Sequence, residues 1–218
     1  MMSIPDNLKK RLLTLFVGAP IVIGLLYIGG ITFKIMMAVA MFLAFYEWFS
    51  MSKKSRHSVI LALFGAIYII VGFISIYMLR QFDEGFVFVL LLLLSVWGSD
   101  SVAYIVGKTF KGPKMSPTIS PNKTWSGYIG ALLGASIPFI IYNSGDDILL
   151  FLMLSVIIGI VGQSGDLMVS ALKRHVKVKD TGALFPGHGG MLDRIDALLL
   201  VAPVLLFALP VIFEKVGG

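Results

Sequence analysis

The sequence predicts an all-α integral membrane protein with about seven transmembrane helices and a cytoplasmic N-terminus. Hydrophobic residues make up 57% of the 218 residues and charged residues only 14%, whereas soluble domains contain about a quarter charged residues. The apolar residues also form runs close to the roughly 20 residues that a helix needs to cross a bilayer. These two observations exclude a soluble globular domain.

Seven apolar runs are the predicted spans. They are residues 12–29, 31–49, 58–79, 86–107, 124–142, 148–169 and 194–213. Only Gly29 and Gly30 separate the first two runs, which predicts a tight helical hairpin. The first run has full span length and lacks a small-residue cleavage pattern, so we expect it to be a retained anchor.

The distribution of Lys and Arg predicts the orientation of the chain. Fifteen of the 18 basic residues fall on one side of a seven-span topology, before span 1 and in the loops after spans 2, 4 and 6. Because basic loops stay in the cytoplasm, this side is predicted to be cytoplasmic and the C-terminus to be outside.

No internal repeat or low-complexity linker interrupts the chain, so the sequence predicts one polytopic domain. Residues 1–98 hold spans 1 to 3 and the start of span 4. Residues 99–218 hold the remaining spans and two cytoplasmic loops, 108–123 and 170–193. The absence of cysteine removes disulfides and thiol-ligated metals, so a metal would need carboxylate, His or other oxygen ligands.

The first polar constellation spans residues 162–196, from the end of span 6 to the start of span 7. Asp166, Ser170 and Lys173 are four and three residues apart, so they share one face if the helix continues. Asp193 and Asp196 share a face of span 7 in the same way. Carboxylates at a membrane edge are costly enough to indicate function, and grouped carboxylates suit Mg²⁺ that also binds substrate phosphates.

The same segment carries excess positive charge and a glycine-rich turn. Its basic residues should attract a polyanion; they are Lys173, Arg174, Lys177, Lys179 and Arg194. In residues 186–190, His188 stands among glycines that let backbone N–H groups approach a phosphate. Metal, phosphates and cations together indicate nucleotidyl or phosphoryl transfer.

The second polar constellation lies in residues 99–127. Asp100 lies about two helical turns inside span 4, so it should face a protein interior or a wet cavity. Pairing with a lysine and direct contact with substrate are both open roles for it. Residues 121–124 predict a turn that opens span 5, where Asn122 and Lys123 form a candidate anion site at a helix N-terminus.

These residues resemble the phosphatidate cytidylyltransferase family, also called CDP-diacylglycerol synthases. The family's signature, S-x-x-K-R-x4-K-D-x5-P-x-H-G-G-x-x-D-R-x-D, is matched from Ser170 to Asp196. The segments SDSVAYIVGK and SPNKTW are also similar, so the resemblance covers residues 99–196. The chain departs from the family at Ser126, where its members commonly carry Glu.

The resemblance implies transfer of CMP from CTP to phosphatidic acid, release of pyrophosphate and a requirement for Mg²⁺, with a second cation left open. The implied metal ligands are Asp166, Asp193 and Asp196, the last as a ligand or as an outer partner. The implied catalytic set is Asp166, Lys173, Asp193, Arg194 and Asp196. The implied substrate-binding set is Ser170, Arg174, Lys179, His188, Asn122 and Lys123. The attacking phosphate oxygen is already ionised, so no general base is needed.

The implied partners are CTP, phosphatidic acid and the lipid bilayer, with no nucleic acid, and a homodimer stays open. The implied location is a bacterial inner membrane with the active site on the cytoplasmic side.

Other interpretations remain at this stage. The chain could activate a polyprenyl or ether-lipid phosphate with CTP, or act as an ion-coupled transporter through Asp100 and Asp166. The aspartates could also serve only as helix caps or as partners of Lys173 and Arg194. Glu47 is interpreted as interfacial because aromatic residues flank it, and an inward-facing role as partner of a basic residue stays open.

Overall fold

The computed structural model describes residues 6–142, 148–185 and 189–216, with side chains described over 16–142, 148–185 and 189–208. Within these residues the chain forms seven α-helices and one antiparallel pair of short strands. The helices are α1 Asp6–Ile28, α2 Gly30–Ser52, α3 Ser58–Gln81, α4 Gly85–Phe110, α5 Trp125–Tyr142, α6 Ile148–His175 and α7 Leu192–Val216, and the strands are β1 Lys114–Ser116 and β2 Ser120–Thr124.

The predicted all-α membrane class is confirmed. Each predicted span coincides with one helix, and helices α2 to α6 are long and apolar enough to cross a membrane, as judged over the described residues. The described apolar part of α1 is the shorter segment Phe16–Ile28. The count of seven spans and the cytoplasmic N-terminus stay predictions.

Helix α6 extends further than its predicted span, through the first six residues of the predicted loop 170–193. Its last turn carries Lys173, Arg174 and His175, and cations at a helix C-terminus interact favourably with the helix dipole. The helix then closes at Lys177, which has a positive φ of 57°. There the Val178 amide donates to the Lys173 carbonyl at 2.9 Å, as in a Schellman motif.

The β-hairpin corrects the prediction for residues 108–124. Asn122 and Lys123 lie on strand β2, whose residue Thr124 pairs with Lys114 of β1, and α5 begins only at Trp125. The pairing could not be inferred from the sequence because these strands lack alternating apolar residues.

Two compact units divide the chain by its internal contacts. The first unit comprises Met1–Ile70 and Lys173–Ile195, and the second comprises Val71–Leu172 and Asp196–Gly218. The predicted division at residue 98 stays a prediction.

In the first unit, the predicted tight hairpin between α1 and α2 is present, with φ values of 66° at Gly29 and 54° at Gly30. Trp48 anchors α2 to the start of α3. Its ring is 1% exposed and packs against Tyr68, with ring centroids 5.5 Å apart. Its indole N–H donates to the Leu61 carbonyl at 2.8 Å.

In the second unit, glycines bring α4 and α5 into close backbone contact. A Cβ atom at Gly98 would lie 2.6 Å from the Gly134 carbonyl oxygen, and one at Gly127 would lie 3.0 Å from the Ala103 carbonyl oxygen. Small residues at such crossings are typical of membrane helices, because packing rather than the hydrophobic effect drives helix association in lipid.

Candidate active site

The predicted site residues fall into two polar clusters, one in each compact unit. The Lys123 cluster, in the second unit, consists of Asp100, Lys123, Gln163, Asp166 and Ser170. The signature-loop cluster, in the first unit, consists of Glu47, Lys173, Thr181, Gly190, Met191, Leu192 and Asp193.

In the Lys123 cluster, Lys123 on strand β2 contacts polar residues of α6. The Lys123 ammonium lies 2.6 Å from Asp166 Oδ2 and donates to Gln163 Oε1 at 3.0 Å. The Ser170 hydroxyl donates to Asp166 Oδ1 at 3.2 Å. The Asp166 side chain is 32% exposed, so this ion pair is partly accessible at the surface of the protein.

Gln163 extends this cluster to α4 and was missed by sequence reasoning. Its amide N–H donates to Asp100 Oδ1 at 3.4 Å, and the residue is only 5% exposed. The signal was present in the sequence, because a glutamine in an apolar span three residues before an aspartate is itself costly. Asp100 is exposed rather than buried in the protein interior.

Two residues of the SPNKTWS segment organise the start of α5. The Gly127 amide donates to Thr124 Oγ1 at 3.1 Å, so Thr124 is the N-cap of the helix. Ser126, the departure from the family pattern, donates its hydroxyl to the Lys111 carbonyl oxygen. At this position the chain therefore has a side chain that hydrogen-bonds to the end of α4 instead of an acidic group.

In the signature-loop cluster, Asp193 lies within hydrogen-bond distance of four donors, one of which, the Thr181 hydroxyl, is shared with Glu47. Lys173 Nζ lies 2.6 Å from Asp193 Oδ1. Asp193 Oδ2 accepts from the Thr181 amide at 2.9 Å, the Thr181 hydroxyl at 2.9 Å and the Gly190 amide at 3.0 Å. Burial acts to raise the pKa of Asp193, which lies just outside the predicted span, but these hydrogen bonds outweigh it and hold the pKa below its usual range.

Glu47 is the second carboxylate of this cluster, and its partners are two amides and a hydroxyl rather than a basic residue. The residue is 5% exposed. Its Oε1 accepts from the Met191 amide at 2.8 Å, and its Oε2 accepts from the Leu192 amide at 2.9 Å and the Thr181 hydroxyl at 2.7 Å. The aromatic neighbours suggested an interface, whereas the cost of a carboxylate inside a span indicated an internal partner.

The remaining predicted site residues are Asp196, four exposed side chains and His188. Asp196, on α7 in the second unit, is 7% exposed, and its Oδ1 accepts the amide of Ala197 at 2.7 Å. The exposed side chains are those of Asn122, Arg174, Lys179 and Arg194, of which Arg174 donates to the Val178 carbonyl at 3.3 Å. His188 lies outside the described residues.

The fit of these carboxylates to Mg²⁺ differs from residue to residue. Their oxygen donors have the right chemistry, and the half-exposed Asp166 could exchange or share its lysine with a metal ion. Asp193 fits less well, because its side chain is 7% exposed and both oxygens already accept hydrogen bonds. Among the described residues, no three His, Asp or Glu side chains are grouped to hold a metal.

The fold and the two clusters define a helical integral membrane protein whose paired lysines and carboxylates suit phosphate-bearing substrates. Comparison with known families then places it. A model described as the cytidylyltransferase family matches residues 52–212, which is well over half of the chain. The chain belongs to the cytidylyltransferase family.

Curated relatives with high coverage bear the name phosphatidate cytidylyltransferase. One from Rickettsia felis is 36% identical over 93% of this chain and 92% of its own length. One from Staphylococcus haemolyticus is 37% identical over 82% of this chain and 70% of its own length. One from Rickettsia typhi is 31% identical over 90% of this chain and 91% of its own length.

Proposed function

We propose that the chain is a phosphatidate cytidylyltransferase, a nucleotidyltransferase that transfers CMP from CTP to phosphatidic acid. The products are CDP-diacylglycerol and pyrophosphate. The observation that carries the proposal is the cytidylyltransferase match over residues 52–212, which includes the whole signature from Ser170 to Asp196. The phosphatidate cytidylyltransferases at 31 to 37% identity support phosphatidic acid as the acceptor.

The reaction needs cationic groups at defined positions more than it needs a base. The acceptor phosphate of the lipid is already ionised, so its oxygen can attack the α-phosphorus of CTP while pyrophosphate leaves. Lys123 and Lys173 are each held 2.6 Å from a carboxylate oxygen. Because an ammonium group has three N–H donors, a lysine oriented in this way can also donate to a phosphate oxygen.

The exposed cations of the signature have a different role in the proposal. Arg174, Lys179 and Arg194 are exposed and would neutralise the phosphates of CTP and phosphatidic acid as these arrive. The proposed substrate contacts also include Ser170, Asn122 and His188. Each of these proposed roles requires the side chain to contact the substrate.

We further propose Mg²⁺ as the cofactor, with Asp166, Asp193 and Asp196 as its residues. When bound, Mg²⁺ would offset the negative charge that develops between CTP and the leaving pyrophosphate. Asp166 is the best-fitting ligand because its carboxylate is half-exposed. Asp193 would serve either by releasing Lys173 or by holding Lys173 beside the metal-bound phosphates.

The proposed location is the bacterial inner membrane, with the substrates meeting on the cytoplasmic face, which the distribution of basic residues supports. CTP would then arrive from the cytoplasm and phosphatidic acid from the adjacent leaflet.

The direct test is incorporation of label from CTP into lipid. Detergent-purified protein is incubated with CTP labelled in the cytidine, phosphatidic acid and Mg²⁺, and the organic phase is counted. We expect label that depends on both the lipid and the metal. Label that appears only with a polyprenyl or ether-lipid phosphate would redirect the proposal to another acceptor, and no label with any lipid phosphate in folded protein would reject cytidylyl transfer.

A further inference from the structure

We propose that Glu47, on α2 and outside the signature, is a positioning residue that holds the signature loop and thereby orients Asp193. The inference rests on the proposed function for its activity measurement, while its structural part can be tested without any activity. The signature loop connects α6 to α7. Thr181 and residues 189–192 are the described parts of this segment that Glu47 and Asp193 hold in position.

Glu47 accepts two hydrogen bonds at the start of α7. The amides of Met191 and Leu192 donate to the two oxygens of Glu47 at 2.8 and 2.9 Å. Amides in the first turn of a helix have no partner within the helix, and a carboxylate there is favoured by the helix dipole. Glu47 therefore caps α7 from another helix, directly before Asp193.

Glu47 is itself held in place. The residue is 5% exposed, and its neighbour Trp48 is fixed by the 2.8 Å hydrogen bond to the Leu61 carbonyl. Trp48 fills the space that Gly65 leaves open, since a Cβ there would overlap the indole ring. A carboxylate on so fixed a helix can impose a position on a loop, because its own position varies little.

The loop fits closely around the Glu47 carboxylate. A Cβ atom at Gly182 would lie 2.6 Å from Glu47 Oε1, and one at Gly190 would overlap both carboxylate oxygens. Gly182 directly follows Thr181, and Gly190 directly precedes Met191. Their lack of a side chain is what lets the loop backbone reach Glu47.

The Thr181 hydroxyl directly links the carboxylates of Glu47 and Asp193. The Thr181 hydroxyl lies 2.7 Å from Glu47 Oε2 and 2.9 Å from Asp193 Oδ2. A hydroxyl has one proton, so it donates to one carboxylate at a time. Any displacement of Glu47 therefore changes the hydrogen bonds at Asp193 Oδ2, the oxygen that also accepts from Gly190.

The test compares Glu47→Gln with Glu84→Gln in the full chain in detergent. Gln keeps the size of the side chain but turns an acceptor oxygen into an NH₂ donor, and both oxygens of Glu47 face donors. Glu84 is a matched control, because its side chain also accepts a short hydrogen bond, from the Tyr142 hydroxyl at 2.5 Å. Two quantities are measured: hydrogen exchange of the amides in 189–192, and kcat per folded protein.

For Glu47→Gln we expect amide exchange in 189–192 to be at least about tenfold faster and kcat to fall about 100-fold, the cost of misplacing a catalytic group by about 1 Å. Exchange in α4 and α5 should stay at the wild-type rate, and Glu84→Gln should resemble wild type in both measurements. Thr181→Ser should retain activity and Thr181→Val should lose it. If Glu47→Gln does not fold, this pair tests whether the hydroxyl that links Glu47 to Asp193 is needed for activity.

Unchanged exchange in 189–192 would overturn the anchoring role. Faster exchange with unchanged kcat, or a lower folded yield with normal kcat in the folded fraction, would overturn the positioning role and leave a purely structural one. Wild-type protein that makes no CDP-lipid would reject the proposed function. The exchange measurement would then decide whether Glu47 anchors the loop.

Discussion

At the scale of single residues, the two polar clusters are built around carboxylates whose hydrogen-bond partners differ. Asp166 pairs with a lysine from a strand and is partly exposed, whereas Asp193 is enclosed by Lys173, Thr181 and Gly190. Helix capping does not account for Asp193, because its donors all precede α7 in the chain. The cap of α7 is Glu47, which leaves Asp193 to orient Lys173.

Asp193→Asn should abolish turnover in protein that still folds. The NH₂ group of Asn cannot accept from the donors that surround Asp193, and each unsatisfied buried group costs about 1–3 kcal/mol. We expect a lower melting temperature and at least a 100-fold loss of CDP-lipid formation. Asp83→Asn, in an exposed loop, is the control, and full activity in Asp193→Asn would show that this carboxylate has no part in catalysis.

Lys123→Met should weaken catalysis more than Lys123→Arg. Methionine removes the charge that pairs with Asp166 and Gln163, whereas arginine retains it. A hydrogen bond to a charged group contributes about 1.5–3 kcal/mol, which corresponds to about 10- to 100-fold in rate. The measurement is kcat/KM for CTP, and equal losses in the two variants would show that the charge of Lys123 is not what matters.

At the scale of elements, backbone contact between glycines fixes α4 against α5. Helix α4 carries Asp100, and α5 directly follows the strand that carries Lys123. Helix α6 contributes Gln163, Asp166 and Ser170 from one face, because they are spaced by three and four residues. Its continuation to His175 meets the condition on which the shared face of Asp166, Ser170 and Lys173 was predicted.

Gly134→Ala should destabilise the α4–α5 pair. The added Cβ would overlap the backbone carbonyl of Gly98, and overpacking of this kind costs about 1–3 kcal/mol. We expect a lower melting temperature in detergent. Gly24→Ala on α1 is the matched control, since nothing lies within 4 Å of its Cβ, and it should leave stability unchanged or raise it. A Gly134→Ala variant as stable as wild type would show that the helices separate without cost.

At the scale of the whole molecule, the distribution of charge predicts the orientation. The loops rich in Lys and Arg follow α2, α4 and α6. By the positive-inside rule, we expect these loops to face the cytoplasm.

Single cysteines can test the orientation, because the natural chain has none. Cysteine at Asp83, in the exposed turn between α3 and α4, should react with a membrane-impermeant maleimide in intact cells. Cysteine at Lys54, in the exposed turn after α2, should react only after permeabilisation. The reverse pattern would invert the topology and place the signature loop outside.

The sequence by itself determined the membrane class, the positions of the seven helices and the family, because long apolar runs and a spaced signature are local properties of the chain. It also identified Asp166, Lys173 and Asp193 as the residues to follow. Only the tertiary structure decided which residues join them in the two clusters: Lys123 on a β-hairpin, Gln163 within an apolar helix, and Glu47 more than a hundred residues before the amides that it holds. Hydrogen bonds between residues so far apart in sequence depend on how helices pack. The periodicity of one helix does not indicate which polar side chain of another helix will lie beside it.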